Sequence, residues 1–244
     1  MRRPASWGDG DNRFGGSDRQ MTGDRAARRS VMTARQLQAV AAAKGFLPDD
    51  EAAALHHAGL VAAAEGRGPL LEVGAYCGKS TVWLAAAARH GGTVLFSVDH
   101  HRGSEENQPG WEWHDPELVD PASGRMDTLP WWRRTIAEAG LEDAAVAVVG
   151  ESTAVGEAWG SPLGLLFIDG GHGDAVVKAD ERAWVHHVAA GGLLAIHDVF
   201  PDPADGGRPP YELFCRVLDS GQFSEEPLLG EGSLRVLRRT AARG

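Results

Sequence analysis

Cysteine is scarce in this chain of 244 residues, with only Cys77 and Cys215 present. Two thiols cannot build the disulfide framework of a small secreted domain, so both read as structural and the chain reads as cytoplasmic. Basic charge is also in deficit. The formal net charge is −10, whereas a protein whose main substrate is a nucleic-acid backbone would favour a basic face. No apolar run is long enough to span a bilayer, and the N-terminus lacks the n-region and h-region of a signal peptide. No internal repeat is visible. What remains is ordinary: 43% hydrophobic and 24% charged residues fit a globular protein, and the length suits one large domain.

Apolar periodicity is missing from residues 1–32, where Gly, Asp, Arg and Ser dominate. That composition buries too little to offset ordering, and a disordered tail is expected. Its arginines hint at a targeting peptide, but the acids and glycines argue against one, and Met21 and Met32 are both plausible starts. Residues 33–66 read as Ala-rich helices broken near Gly45-Phe46-Leu47-Pro48, with Asp49, Asp50 and Glu51 as an acid-rich helix start. Residues 67–244 alternate strand and helix. Strands are expected at 69–73, 93–98, 145–149, 163–168, 192–197 and 233–239, and helices at 79–90, 130–139, 174–188 and 209–219. Repeated strand–helix units imply an α/β fold, a mostly parallel sheet with helices on both faces. Ligands of such sheets bind beyond the strand C-termini, where Glu72, Asp99, Gly150, Asp169 and Asp198 all fall.

The most specific stretch is LLEVGAYCGKSTVWLAAA at 70–87, an apolar strand, a glycine turn and an apolar helix. Gly74 and Gly78 let the backbone turn sharply and approach a ligand closely. Asp99 ends the next apolar run, where an acid can hold a pair of ribose hydroxyls. Tyr76 stands where a dinucleotide fingerprint needs its middle glycine, and the glycine of a phosphate P-loop is missing. Glu72 would repel a pyrophosphate and attract a cation. S-adenosylmethionine suits this turn, since it has an ammonium, a sulfonium and a ribose but no phosphate.

With FIDGGH at 167–172 and AGGLLAIHDVF at 190–200, this E-x-G-x-x-x-G turn makes an ordered set. Across roughly residues 55–240 the chain resembles the class I S-adenosylmethionine-dependent methyltransferases. Among these it is most similar to the small bacterial branch carrying Ile-Asp-Gly-x-His and Gly-Gly…His-Asp motifs. The resemblance implies a Rossmann-like fold with a seven-stranded sheet. It also implies that Glu72 and Gly74 border the methionine moiety, with Ala75, Tyr76, Gly78 and Ser80 as further cofactor-binding candidates. Asp99 would then bind the ribose and Gly150-Glu151-Ser152 lie near the adenine, with His100 and Asp169 as further cofactor-binding candidates. An N-terminal helical piece in such enzymes covers the cofactor or pairs subunits, so a homodimer enters as an expectation.

Asp169, His172, His197 and Asp198 lie at or near the ends of neighbouring strands. A histidine or carboxylate there could take the proton of an acceptor hydroxyl. Alternatively, a divalent cation held by Asp169 and Asp198 could lower that hydroxyl's pKa, with Mg²⁺ favoured by oxygen ligands and Mn²⁺, Fe²⁺ or Zn²⁺ by a histidine in the site. The chain resembles metal-dependent sugar and catechol O-methyltransferases in these acids, but departs from them at Val199 and Gly170-Gly171-His172. Simpler roles exist: Asp169 as a helix cap and His197 as a satisfied core histidine.

An insert at 100–130 is too long for an ordinary connection and carries Trp111 and Trp113, with Trp131 and Trp132 just beyond it. Indole faces beside polar groups bind sugars and flat rings. One of Trp131 and Trp132 is expected in the core. Arg208 and Tyr211 in a second loop-rich segment are candidate acceptor contacts. The expected function is O-methylation of a small polar metabolite, sugar-like or catechol-like, with base or metal assistance. The alternative is an inactive S-adenosylmethionine-binding partner or regulatory protein.

Overall fold

The computed structural model describes residues 31–111, 113–202 and 204–240, so the expected tail lies almost entirely outside the described residues. Two helices open the fold. In α1 (Ala34–Ala42), Thr33 caps the helix in a reciprocal box with Gln36, and α2 (Asp49–Glu65) starts after Pro48. There follow β1 (Leu70–Val73), α3 (Lys79–His90) and β2 (Leu95–Asp99), then a small hairpin of β3 (Val119–Asp120) and β4 (Arg125–Met126) inside the insert. The chain continues with α4 (Leu129–Ala139), β5 (Ala145–Val149), α5 (Ser152–Ala158), β6 (Leu163–Ile168) and α6 (Asp174–Trp184). It closes with β7 (Val188–Ile196), α7 (Arg208–Asp219), β8 (Phe223–Glu225) and β9 (Arg235–Arg239).

Seven strands form one sheet in the order β5-β2-β1-β6-β7-β9-β8. Pairings from β5 to β7 are parallel, and β9 runs antiparallel to both neighbours. The expected fold class holds. Side chains alternate across the sheet: Leu165 and Phe167 join the core under α1 to α4, while Leu166 and Ile168 join the core under α6 and α7. Gly59 brings α2 against α3, since a Cβ there would stand 2.9 Å from that of Ala87.

The structure departs from the expected elements in several places. No helix is expected around Ser152, where α5 forms, and neither β8 nor the β3–β4 hairpin is expected; the helix expected at 174–188 ends at Trp184, and β7 begins at Val188 rather than 192. The early start of β7 runs through Gly191, at φ +77°, and a register shift lies opposite it in β6. Two glycines disguise a strand whose continuation is secured by its partner. Among the described residues, no helix is long and apolar enough to cross a membrane.

Candidate active site

At the C-terminal edge of β1 the chain enters Gly74-Ala75-Tyr76-Cys77-Gly78 before α3. Gly74 has φ +89°, and a Cβ there would lie 2.2 Å from the Asp169 carbonyl oxygen, so glycine lets the ends of β1 and β6 meet. Asp99, at the end of β2, organises the turn. Its Oδ2 accepts from the N–H groups of Ala75 (2.9 Å) and Tyr76 (2.8 Å), and its Oδ1 from that of His101 (2.6 Å). Carboxylate oxygens have lone pairs to spare, so the half-buried Asp99 keeps capacity for a ribose.

Tyr76, His101 and Asp198 have φ of 46°, 58° and 55°, and they are the non-glycine residues with positive φ among the described residues. All three sit at this edge of the sheet. Left-handed backbone costs such residues on the order of 1–2 kcal/mol each, and strain of this kind concentrates at functional sites.

Glu72 requires a correction. Its side chain is fully buried, and its carboxylate accepts from Ser80 Oγ (2.9 Å), Thr81 Oγ1 (2.5 Å) and the Ser97 hydroxyl. It is turned inward, where it ties β1 to β2 and the first turn of α3, and is not presented to a ligand cation. Burial pushes its pKa up to about 7, against the pull of the three hydroxyls. Ser80 is committed to Glu72. Ser152 donates to Asp180 (2.6 Å) and accepts from Trp184 Nε1 (2.8 Å), so its hydroxyl is engaged internally as well. Gly150 N–H donates to the Asp99 carbonyl (3.2 Å), which keeps the Gly150-Glu151 segment beside Asp99. His100 Nδ1 accepts from the Arg102 N–H at 3.0 Å.

Asp169, His172, His197 and Asp198 converge. His197 Nδ1 is 2.9 Å from Asp169 Oδ1 and 3.3 Å from Asp198 Oδ2. His172 Nε2 is 2.8 Å from that same Asp198 oxygen. Two further carboxylates complete the set. Glu51 Oε2 meets His197 Nε2 at 2.6 Å, and Glu106 Oε2 meets His172 Nδ1 at 3.2 Å. Each imidazole therefore has a carboxylate at both ring nitrogens, and only the doubly protonated ring donates to both. Burial alone would lower the His197 pKa, but Asp169, Asp198 and Glu51 carry it up to about 12. Asp198, assisted by Glu106 and Asp169, raises His172 to about 9. Burial works against ionisation of Asp198, yet the two imidazoliums hold it well below the usual carboxylate range. Four acidic side chains thus surround two histidines. Asp169, His172 and Asp198 also each offer one ligand atom within 4.8 Å of the others, a spacing that fits a divalent cation.

Neither simpler role describes these residues. Gly173, not Asp169, is the N-cap of α6, and His197 is buried but sits in a charged network. Glu51 and Glu106 were not anticipated as site residues. The first reads as a helix-start acid, and the second is one of two adjacent glutamates in the insert; only the fold brings them to histidines. The insert reaches the cluster along Ser104–Glu106, since a Cβ on Gly171 would lie 3.3 Å from Ser104 Cβ. Its indoles divide as expected: Trp132 is buried, while Trp111 and Trp113 are 52% and 48% exposed. In the second segment, Gly207 approaches His172 and the Arg208 guanidinium lies over Tyr211, 4.7 Å from the ring centre.

Residues 71–199 match the family model of a methyltransferase domain. The fold is similar over 96% of this chain to the S-adenosylhomocysteine-bound methyltransferase PaMTH1 of Podospora anserina, all of whose chain is covered, at 11% identity and TM-score 0.59. TomG of Streptomyces achromogenes, an O-methyltransferase in complex with S-adenosylmethionine, is matched over 93% of this chain and 99% of its own, at 14% identity and TM-score 0.57. The O-methyltransferase NovP is matched over 77% of this chain and 78% of its own, at 15% identity and TM-score 0.58. At such identities the likeness is one of fold.

Proposed function

The chain belongs to the methyltransferase-domain family, as a class I S-adenosylmethionine-dependent enzyme, and from that premise we propose that it methylates an oxygen of a small polar acceptor. The observation that carries this proposal is the convergence of Asp169, His172, His197 and Asp198 beside the glycine turn. We assign Gly74, Ala75, Tyr76 and Gly78 to the methionine moiety, Asp99 and His100 to the ribose, and Gly150-Glu151-Ser152 to the adenine. Glu72 and Ser80 support the turn from beneath. Matches to O-methyltransferases such as TomG and NovP favour oxygen as the acceptor atom.

Methyl transfer needs a lined-up, deprotonated acceptor: the new O–CH₃ bond forms as the S–CH₃ bond breaks, and S-adenosylhomocysteine leaves. Both imidazoles already carry their protons, so neither takes the acceptor's. Asp198 is a weak base beside two imidazoliums. Asp169, half-buried, next to the glycine turn and beside one imidazolium rather than two, is the group best placed to accept the proton. His197 orients its carboxylate by holding one oxygen at 2.9 Å. Asp169 and Asp198, joined by His172 only once it gives up a ring proton, would hold a divalent cation, whose chemistry would be to lower the pKa of the acceptor hydroxyl. A binding-only partner protein would need none of these four ionisable groups.

Asp169→Asn tests the assignment. Turnover should fall at least 100-fold, with S-adenosylhomocysteine affinity changed by less than threefold in calorimetry. Full activity in this variant would remove Asp169 from the chemistry.

A further inference from the structure

Beside the glycine turn lies a cavity of about 400 Å³ lined by Lys44, Phe46, Tyr76, Trp113, His114 and Asp115, among others. Its size falls within the range of small-molecule sites, roughly 300–1,000 Å³. Three rings from three separate segments meet there: Phe46 from the α1–α2 connection, Tyr76 from the turn, and Trp113 from the insert. Phe46 lies 5.5 Å from Tyr76 at an interplanar angle of 41°, and 5.1 Å from Trp113 at 68°. Phe46 is nonetheless 57% exposed and Trp113 48%. Apolar rings clustered and left open to solvent mark a binding surface. Tyr76 adds a second sign, since a strained backbone at φ 46° is tolerated at a position whose ring lines the cavity.

The polar groups of the lining decide what fits. Lys44 Nζ already meets Asp115 at 2.5 Å and Glu117 at 2.7 Å, and lies over Trp131. That ammonium is neutralised, and the two acids leave an excess of negative charge. His114 Nδ1 is spent on the Asn107 carbonyl at 2.9 Å. A sugar needs a ring of free donors and acceptors, and Lys44, His114 and Asp115 are already engaged. The one lysine or arginine among the described lining residues, Lys44, is already paired, which disfavours an anionic ring. A flat ring that is neutral or carries an amine finds faces, edges and negative potential.

We propose that this cavity binds the aromatic ring of the methyl acceptor, a neutral or amine-bearing phenol or catechol rather than a sugar or an aromatic acid. The proposal rests on the methyl-transfer reading and narrows its substrate class. Position supports it. Tyr76 is two Cα steps, at most roughly 7 Å, from Gly74, which abuts the Asp169 carbonyl. The same insert that supplies Trp113 sends Glu106 to His172.

The test is ¹⁹F NMR of the full chain labelled with 5-fluorotryptophan, with the Trp113 resonance assigned by its loss in Trp113→Phe. Dopamine, 3,4-dihydroxybenzoate and methyl α-D-glucopyranoside are titrated with and without S-adenosylhomocysteine, whose own binding is followed by calorimetry. Dopamine should shift the Trp113 resonance saturably. The acid should bind at least tenfold more weakly, and the glucoside should leave the resonance in place. Phe46→Ala, at an exposed position, should weaken dopamine at least fivefold while S-adenosylhomocysteine affinity stays within twofold. A Trp113 resonance unmoved by dopamine, or moved equally by the glucoside or the acid, overturns the proposal. Failure of S-adenosylhomocysteine to bind counts separately, against the cofactor reading.

Discussion

Glu72 shows what a single side chain can do when its environment is set by three hydroxyls. Its folded pKa of about 7 lies above its ordinary value of 4.5, so the folded state holds the proton more tightly than the unfolded chain. This contribution to stability is fully present below pH 4.5 and is lost as pH rises toward 7. At pH 8 the buried charge costs on the order of 3 kcal/mol, from the size of the shift. Glu72→Gln keeps the shape without the charge. Relative to the parent, the variant should gain stability between pH 5 and pH 8, read as urea midpoints at the two pH values. A constant difference across that range would mean that Glu72 ionises normally. The motif containing Glu72 was legible in the sequence but its direction was not: an acid at a strand end reads as facing a ligand, and only the hydroxyls of Thr81 and Ser97 show that it faces inward.

At the scale of elements, α2 is more than a cover. Its first-turn residue Glu51 is buried and accepts from the backbone N–H of Ser233 (2.6 Å), the Ser233 hydroxyl (3.1 Å) and His197 Nε2. One carboxylate thus fastens a helix, the end of β7 and the turn before β9. Glu51→Ala would leave the His197 imidazolium short of a partner, and breaking such a buried pair costs about 3–5 kcal/mol. The melting temperature should drop by roughly 6 °C or more. A change below 1 °C would show that the helix is held by its apolar face alone. Sequence periodicity delivered most strands and helices because buried parallel strands read as apolar runs. It failed where the pattern is short or interrupted: α5 has seven residues and starts directly after the turn that follows β5, and β8 has three. The Glu51–His197 contact joins residues 146 positions apart, a separation that no local pattern reveals.

For the whole molecule, the sheet order places the ends of β5, β2, β1, β6 and β7 along one edge, and each expected site segment lies there. That convergence was legible because acids and glycines punctuate the ends of apolar runs. The insert was legible only as long and aromatic-rich; its two attachments, Lys44 to Asp115 and Glu106 to His172, depend on the fold. If this edge binds S-adenosylmethionine with Asp99 under the ribose, calorimetric titration with S-adenosylhomocysteine, on the parent and on Asp99→Ala, will show it. Binding to the parent should be micromolar, about −8 kcal/mol, and weakened at least tenfold in the variant. No binding to the parent, or binding that Asp99→Ala leaves unchanged, would contradict it.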